Sequence, residues 1–231
     1  MVKVEPSLRE PPQSSATIDR ILDAAEELFA EQGIAGTSVR TITEKAKVNV
    51  AAVNYHFDSK ENLVRKVLER RAANLEHERT IALDRIEAKA KHENREPAVI
   101  ELVEAMIDPI VDLALSETSG WQHFIRFVSR LAWEPGFEQL EPPESQVRIF
   151  DRFEAALLRA VPHLADDPMR KWRLAFMRSA VQQSLMMITM LKAGKFPKWM
   201  PAAIAADATP NETIKRELSA FLAAGLAAPK T

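Results

Sequence analysis

The chain has 231 residues, of which 46% are hydrophobic, and its formal net charge is −2. This length allows one large domain or a small and a medium domain, and the apolar content excludes a disordered chain. The absence of cysteine excludes disulfides, thiolate catalysis and cysteine-based zinc sites. The chain has no stretch of about 18 uncharged apolar residues, which is the length that spanning a bilayer requires. Residues 1–16 lack the apolar core of a signal peptide. We therefore expect a soluble, cytoplasmic protein.

Helical periodicity runs through the chain and the alternation typical of strands is missing, which predicts an all-α fold. Three helices are predicted over about residues 17–33, 38–46 and 50–56, and a long fourth helix begins near residue 58 and continues beyond residue 86. Thr17 and Asn49 are the expected N-caps of the first and third helices. Asp58 and Glu61 have the spacing of a capping box and are expected to start the fourth.

Residues 87–97 are polar and predict the end of the fourth helix and a loop. Apolar periodicity then predicts further helices over about residues 97–111, 121–132, 144–160, 168–191 and 212–226. We divide the chain into a disordered arm (1–16), a three-helix head (17–62) and a helical body (63–231). The long fourth helix joins the head to the body.

Basic residues are concentrated in one window. Residues 37–71 contain eight Lys and Arg against four Asp and Glu, so this window has a charge of +4 while the remainder sums to −6. A basic window in an acidic protein is typical of a surface that contacts nucleic acid. A solvated face of mixed charge is the alternative.

The segment GTSVRTITEKAKVNVAAVNYHFDSKENL, residues 36–63, predicts two short helices joined by a tight turn around Lys47. Val53 and Phe57 are four residues apart and are expected to face inward. The outward face of the third helix then presents Asn49, Val50, Ala51, Ala52, Asn54, Tyr55 and His56. Small side chains let a helix approach the major groove closely, Asn can bond adenine, and methyl groups can contact thymine. An exposed short helix could instead contact another protein.

Together with ILDAAEELFAEQG in the first helix, the pattern TSVR-x-I followed by VNVAAVNYHF-x-SKE resembles the DNA-binding head of the TetR family. The strong resemblance covers about residues 17–68. It implies a helix-turn-helix head joined to a helical body that dimerises and binds a ligand. The body has the length and helix pattern of that family.

The resemblance also implies a role for each matched residue. Phosphate contacts are implied for Thr37, Ser38, Arg40 and Lys60, base-edge contacts for Asn49, Val50, Ala51, Ala52 and Asn54, and a clamp on the DNA backbone for Tyr55 and His56. One departure is Lys47, where relatives usually have glycine. If this turn residue has a positive φ, lysine costs roughly 1 kcal/mol relative to glycine. We expect Lys47 to gain a phosphate contact in exchange.

The helix predicted over residues 168–191 is apolar nearly all round from Trp172 to Leu191, so this part must be covered on both sides. The last predicted helix has an apolar stripe. In TetR-like proteins the last two long helices pair with their mates in a four-helix interface, which implies a homodimer here. The predicted interface residues are Leu185, Ile188, Leu218, Phe221 and Leu222. The core of a monomer is the alternative.

The segments NVAAVNYHF and WRLAFM resemble the fatty-acid-responsive branch typified by PsrA repressors. This implies a small apolar effector, a long-chain fatty acid or an acyl-CoA. Adaptable Met and aromatic side chains suit such a cavity. The predicted ligand-binding residues are Phe124, Phe127, Phe153, Phe176 and Met187, with Arg126, Arg130 or Gln183 near the polar end. Plain core is the alternative for the apolar ones.

No catalytic, metal or cofactor site is predicted, because the acidic pairs and the five histidines lack the required spacing. The sequence therefore predicts a homodimeric repressor that binds a palindromic operator in double-stranded DNA and releases it when a ligand enters the body. The alternative is an architectural or nucleoid-associated DNA-binding protein of the same fold without ligand control.

Overall fold

The computed structural model describes residues 13–116, 120–131, 134, 135, 137, 140–195 and 210–229. Within these ranges the chain folds into nine α-helices and one short 3-10 helix with no strand, which confirms the predicted all-α fold. The α-helices are α1 Gln13–Gly36, α2 Val39–Ala46, α3 Val50–Phe57, α4 Lys60–His92, α5 Val99–Leu115, α6 Trp121–Leu131, α7 Glu144–Ala160, α8 Arg170–Lys192 and α9 Pro210–Ala227. The 3-10 helix, Pro162–Leu164, lies between α7 and α8.

Helices α1, α2 and α3 pack around a small apolar core to which each contributes. Phe29 from α1, Ile42 from α2, and Val53 and Phe57 from α3 are all buried. The two shorter helices have only eight residues each. Helices this short are marginal in isolation, so their stability comes from this core.

The ends of α1 differ in how well the sequence predicted them. The helix begins at Gln13, so the predicted cap at Thr17 was wrong. The first twelve of the sixteen residues predicted as a disordered arm lie outside the described residues. At the other end Gly33 has a φ of 77°, a conformation that interrupts the helix and favours glycine. Residue 33 is also where the predicted first helix ends, and glycine is common at that position.

Helix α4 is the longest element and joins the head to the body. Its N-cap is Ser59, whose Oγ accepts a hydrogen bond from the backbone N–H of Asn62 at 3.1 Å, so the predicted cap at Asp58 was one residue early. The helix continues into the polar segment 87–97, which was predicted as the helix end and a loop, and it ends at His92. With 33 residues it is about 50 Å long.

Helix α6 packs directly against α1. The ring of Phe127 lies 5.6 Å from the ring of Phe29. Beyond α6, the Glu134 carboxylate accepts hydrogen bonds from the backbone N–H groups of Ile34 at 3.1 Å and Ala35 at 3.3 Å. The body therefore holds the C-terminal end of α1 in place.

The buried carboxylate of Glu26 is the centre of a group of contacts that connects α1, α4 and α6. Glu26 in α1 accepts hydrogen bonds from Arg70 at 3.1 Å and from Arg71 at 2.6 and 2.8 Å, both in α4. The Arg71 guanidinium in turn lies 5.3 Å from the ring centre of Trp121 at the start of α6. A charge this buried is tolerated because both cations and several hydrogen bonds compensate it.

The body consists of α5, α7, α8 and α9 packed with the C-terminal part of α4 and with α6. Its centre is α5, which contacts α4, α7, α8 and α9 and buries residues along most of its length. In the described ranges, no helix combines the length and the apolar composition that crossing a bilayer requires.

Candidate functional site

The turn between α2 and α3 sets the orientation of α3. Ser38 caps α2 by accepting a hydrogen bond from Thr41 N–H at 3.0 Å. Lys47 follows α2 in the left-handed conformation, with φ 55° and ψ 49°. Asn49 then caps α3, its Oδ1 accepting from Ala51 N–H at 3.0 Å. Side chains therefore accept a hydrogen bond from a backbone N–H group at the start of both helices, which stabilises each of them.

Helix α3 has one buried face and one open face. Val53 and Phe57 are buried, as predicted. On the other side Tyr55 is 83% exposed, and Asn54 and Ala51 are also exposed. The remaining predicted contact residues are Asn49 and Val50, which are exposed, and Ala52 and His56, which are half-buried. The seven residues proposed to contact bases or the DNA backbone from α3 thus lie at least partly open to solvent.

Cations flank this open face. Lys47 is exposed in the turn before α3, and Lys60 is half-buried in the first turn of α4. Neither makes an ion pair with any residue that the structure describes. Arg40, by contrast, is paired with Glu44 at 2.9 Å on the exposed side of α2. The unpaired lysines leave positive charge available to an anion, and the N-terminus of α4 adds its own preference for one.

Thr37 does not occupy the position that the resemblance implied. Its side chain is buried, and its hydroxyl donates to the carbonyl of Gly33 at 2.7 Å, with Leu28 O at 3.3 Å. Because the hydroxyl is hydrogen-bonded to carbonyls of α1 and is buried, the prediction that this side chain contacts a phosphate was wrong. Ser38, the next residue, is exposed.

A second candidate site is a partly open cavity of about 200 Å³ in the body, lined by α4, α5, α6, α7 and α8. Its apolar lining comes from Leu68, Ala72, Leu75, Met106, Ile107, Ile110, Phe124, Ile125, Val128, Pro143, Phe150, Met177, Val181 and Leu185. Its polar lining comes from Glu76, Arg79, Gln146, Arg178 and Gln182. A largely apolar wall with few polar groups is typical of small-molecule sites.

Glu76 and Arg79 are the most buried polar groups of this wall, each with a side chain only 7% exposed. Arg79 Nη1 donates to Glu76 Oε1 at 3.2 Å, and Arg79 Nε donates to the carbonyl of Met106 at 2.9 Å. Burial raises the pKa of the Glu76 carboxyl above its ordinary value, and the neighbouring Arg79 guanidinium opposes that rise. The site therefore places a buried ion pair beside an apolar cavity.

Of the residues predicted to bind a ligand, Phe124 lines this cavity. The others do not. Phe127 and Phe153 are buried elsewhere, Met187 is half-buried outside the lining, and Phe176, Gln183, Arg126 and Arg130 are exposed. Phe127 packs on Phe29 instead, and Phe176 lies on the outer side of α8. The prediction took the wrong face of α8, since Met177, Val181 and Leu185 face inward.

The sequence did contain a signal for the residues that were missed. Leu68, Leu75, Glu76 and Arg79 are spaced as neighbours on one face of a helix. A charged pair within that apolar stripe of α4 indicates polar groups facing the interior.

The predicted dimer residues fall into two groups. Leu185, Ile188 and Leu222 are buried within the protomer, so they cannot contact a partner directly, and this part of the prediction was wrong. Leu218 is half-buried, and Phe221 is 71% exposed. The most exposed large apolar side chains of α8 are Trp172 and Phe176, each 58% exposed, with their rings 5.8 Å apart.

Two family models match most of the chain. A model of bacterial regulatory proteins of the tetR family matches residues 21–67, which contain most of α1, all of α2 and α3 and the start of α4. A model of the tetracyclin repressor-like C-terminal domain matches residues 104–225, which is more than half of the chain.

Similar curated proteins are transcription regulators. The chain is 45% identical over 49 residues to the probable regulator YttP of Bacillus subtilis and 44% identical over 48 residues to the repressor KstR2 of Rhodococcus jostii. Each of these matches covers 21% of this chain and 24% of the relative. A longer match, 32% identical over 139 residues, covers 58% of this chain and 55% of the repressor NicS of Pseudomonas putida. The chain thus matches about a quarter to about half of the length of these relatives.

Solved structures share the fold over nearly the whole chain. A TetR-family transcription regulator from Shewanella sp. PV-4 has a TM-score of 0.61 at 15% identity, covering 89% of this chain and 97% of that one. The ketosteroid transcriptional regulator KstR2 of Mycobacterium tuberculosis has a TM-score of 0.56 at 16% identity, with coverage of 96% and 98%. These relatives are transcription regulators, which is the class of protein that the sequence predicted for this chain. With the two family models, these findings show that the chain belongs to the TetR family of bacterial transcription regulators.

Proposed function

We propose that this protein is a homodimeric repressor that binds a palindromic operator and releases it when a small, largely apolar ligand enters the body. The observation that carries the DNA-binding part is the open face of α3, which is flanked by the unpaired Lys47 and Lys60. DNA-binding regulation is the function of the family. The contact residues, the homodimer and the ligand response are proposals.

We assign different roles to two residues of the head. Lys60, at the N-terminus of α4, would bind a phosphate and add affinity without sequence preference. Asn54, exposed on α3, would contact base edges and add specificity. Lys60→Ala should therefore weaken binding to every sequence alike and lower the salt slope by about 1 for each bound protomer. Asn54→Ala should relax the base preference.

A binding titration against the operator and against mutated operators, at several salt concentrations, tests this division. Lys91→Ala is the matched control. It removes an exposed lysine from the same helix, about 46 Å from Lys60. Identical behaviour of the Lys60 and Asn54 variants across all sequences would contradict the assignment.

The dimer proposal rests on the outer faces of α8 and α9. Trp172, Phe176 and Phe221 are exposed there. Large apolar side chains that are exposed together mark surfaces where another protein binds. A stable interface of this kind buries on the order of 2,000 Å² or more. It would place two α3 helices about 34–36 Å apart, one turn of DNA.

Phe221→Glu tests the dimer without touching the core of the protomer. We expect monomers that keep the wild-type helix content and no longer hold the full operator. Leu222→Asp is a poor test, because Leu222 is buried inside the protomer and its replacement would destabilise the fold. A wild-type protein that sediments as a monomer at micromolar concentration would overturn the proposal.

Ligand control is supported by the helices that the cavity and the head share. Helix α4 contributes Lys60 to the candidate DNA surface and, 16 residues later and about 24 Å away, Glu76 to the cavity wall. Helix α6 lines the cavity with Phe124 and packs against α1 through Phe127. A ligand that shifts either helix would change the spacing of the two heads, and a coupling of about 1–3 kcal/mol would suffice for release.

The long-chain fatty acid or acyl-CoA remains the ligand that the branch resemblance implies. Its polar end cannot be held by Arg126, Arg130 or Gln183, which lie outside the cavity. A chain-length series measured by calorimetry and by operator displacement tests it. Each buried methylene should contribute about 0.8 kcal/mol, or roughly fourfold in affinity, until the cavity is full. Equal affinity for short and long chains would reject an acyl ligand and leave the repressor proposal intact.

A further inference from the structure

The buried ion pair in the cavity wall is incompletely hydrogen-bonded. Arg79 uses Nη1 on Glu76 Oε1 and Nε on the Met106 carbonyl. The second carboxylate oxygen, Glu76 Oε2, is buried and has no hydrogen-bond partner among the described residues. Buried carboxylate oxygens without a donor are rare because they lose hydration and gain nothing in return. Since Glu76 also lines the cavity, a molecule in the cavity is the natural source of that donor.

The charges around Glu76 restrict which donor fits. Arg79 and Arg178 both approach the ring of Phe150, their guanidinium carbons 5.5 and 5.8 Å from its centre. An ammonium group would therefore enter a site that already holds two cations. A carboxylate would bring a second negative charge to Glu76 and no proton to share. A neutral donor avoids both repulsions.

We propose that the ligand is a neutral, largely apolar molecule with a hydroxyl group that donates a hydrogen bond to Oε2 of Glu76. This inference rests on the proposed ligand control, and it names a neutral hydroxyl compound in place of the fatty acid that the branch resemblance implies. The apolar wall accounts for the remainder of the molecule, and the cavity volume of about 200 Å³ favours a small one. Burial also raises the pKa of the Glu76 carboxyl, because the carboxylate as a whole is poorly solvated.

Four probes of nearly equal size separate the possibilities. They are 1-octanol, its isomer heptyl methyl ether, octanoate and octylammonium, each titrated into the full-length protein by calorimetry. The ether keeps the oxygen and the apolar surface of the alcohol but has no proton to donate. We expect 1-octanol to bind about tenfold more tightly than the ether, and both charged probes to bind more weakly than the alcohol.

Glu76→Gln tests whether this preference comes from Glu76. The variant can keep its Oε1 as the acceptor for Arg79, which turns its amide nitrogen, a donor, toward the position of Oε2. The preference for the alcohol over the ether should then fall to about twofold or less. Glu78→Gln is the matched control, since Glu78 is an exposed carboxylate on the same helix outside the cavity wall, and it should keep the wild-type preference.

Several results would overturn the inference: equal affinity of the wild type for alcohol and ether, tightest binding by octanoate or octylammonium, binding of none of the probes, or an unchanged preference in Glu76→Gln. If that variant does not fold, the wild-type ranking of the four probes still decides. Operator binding without ligand is measured in parallel. If the ligand-free protein does not bind an operator, the repressor proposal is contradicted. If the alcohol binds but the operator is not released, ligand control is contradicted and the hydroxyl site is supported.

Discussion

Replacing Lys47 with glycine should make the protein more stable and make it bind DNA less tightly. Lys47 has a φ of 55° and a ψ of 49°, and its side chain is exposed in the turn before α3. A non-glycine residue in this left-handed conformation costs roughly 1–2 kcal/mol. Glycine removes that strain but loses about 0.4–1 kcal/mol through the greater freedom of the unfolded chain. The expected net gain is about 0–1.6 kcal/mol, centred near 0.8 kcal/mol, or roughly 2–3 °C in Tm for a chain of this length.

The DNA effect of Lys47→Gly has the opposite sign. If Lys47 contacts a phosphate, its loss lowers the salt slope of operator binding by about 0.9 for each bound protomer. Stability is measured by urea denaturation and affinity by titration at several salt concentrations. Asn94→Gly is the matched control, because Asn94 has a φ of 52° and follows the far end of α4. It should leave the salt slope unchanged. A less stable Lys47→Gly protein would refute the strain argument, and an unchanged slope would refute the phosphate contact.

Three further changes probe the rest of the molecule. Phe127→Ala leaves a cavity between α6 and α1 and should cost about 3–5 kcal/mol in urea denaturation, and a cost below about 1 kcal/mol would contradict this packing. Hydrogen bonds from Arg95 lower the pKa of Glu101 to about 2, so the wild type should lose stability as the pH falls from about 4.5 toward 2. Melting curves of Glu101→Gln should show a smaller loss over the same range. Gly33→Ala should lower Tm, since a Cβ there would lie 2.4 Å from Glu134 Oε1 and φ is 77°; an unchanged Tm would show that the helix end can adapt.

Local signals predicted the head well because its geometry depends on neighbouring residues. The cap Asn49, the inward pair Val53 and Phe57, and the condition of a positive φ at Lys47 follow from sequence distances of a few residues. The errors in the head are also local. Ser59 competes with Asp58 as the cap of α4, and the hydroxyl of Thr37 is used by the end of α1.

The cavity could not be predicted to the same extent because its walls come from five helices. Adjacent residues on α8 differ by about 100° around the helix axis, so a shift of one position exchanges Met177 in the wall for Phe176 on the surface. Nearly every face of α8 is apolar, and apolar periodicity therefore does not distinguish a cavity wall from a dimer surface. Glu76 and Arg79 were not predicted, although a charged pair within an apolar stripe of α4 indicates polar groups that face the interior.

The contact between Phe29 and Phe127 has a consequence for how the protein can be dissected. A fragment that ends at residue 62 would retain the whole open face of α3 but lose α6, which covers Phe29. It would also lose Leu63, Val64 and Val67, all fully buried in the intact chain. Such a fragment would expose a wide apolar surface where α6 and the rest of α4 pack in the intact chain, and we expect it to aggregate or remain unfolded. We therefore expect that the proposed DNA surface is not a transferable module, and that fusing residues 13–62 to another dimeric protein does not transfer operator binding.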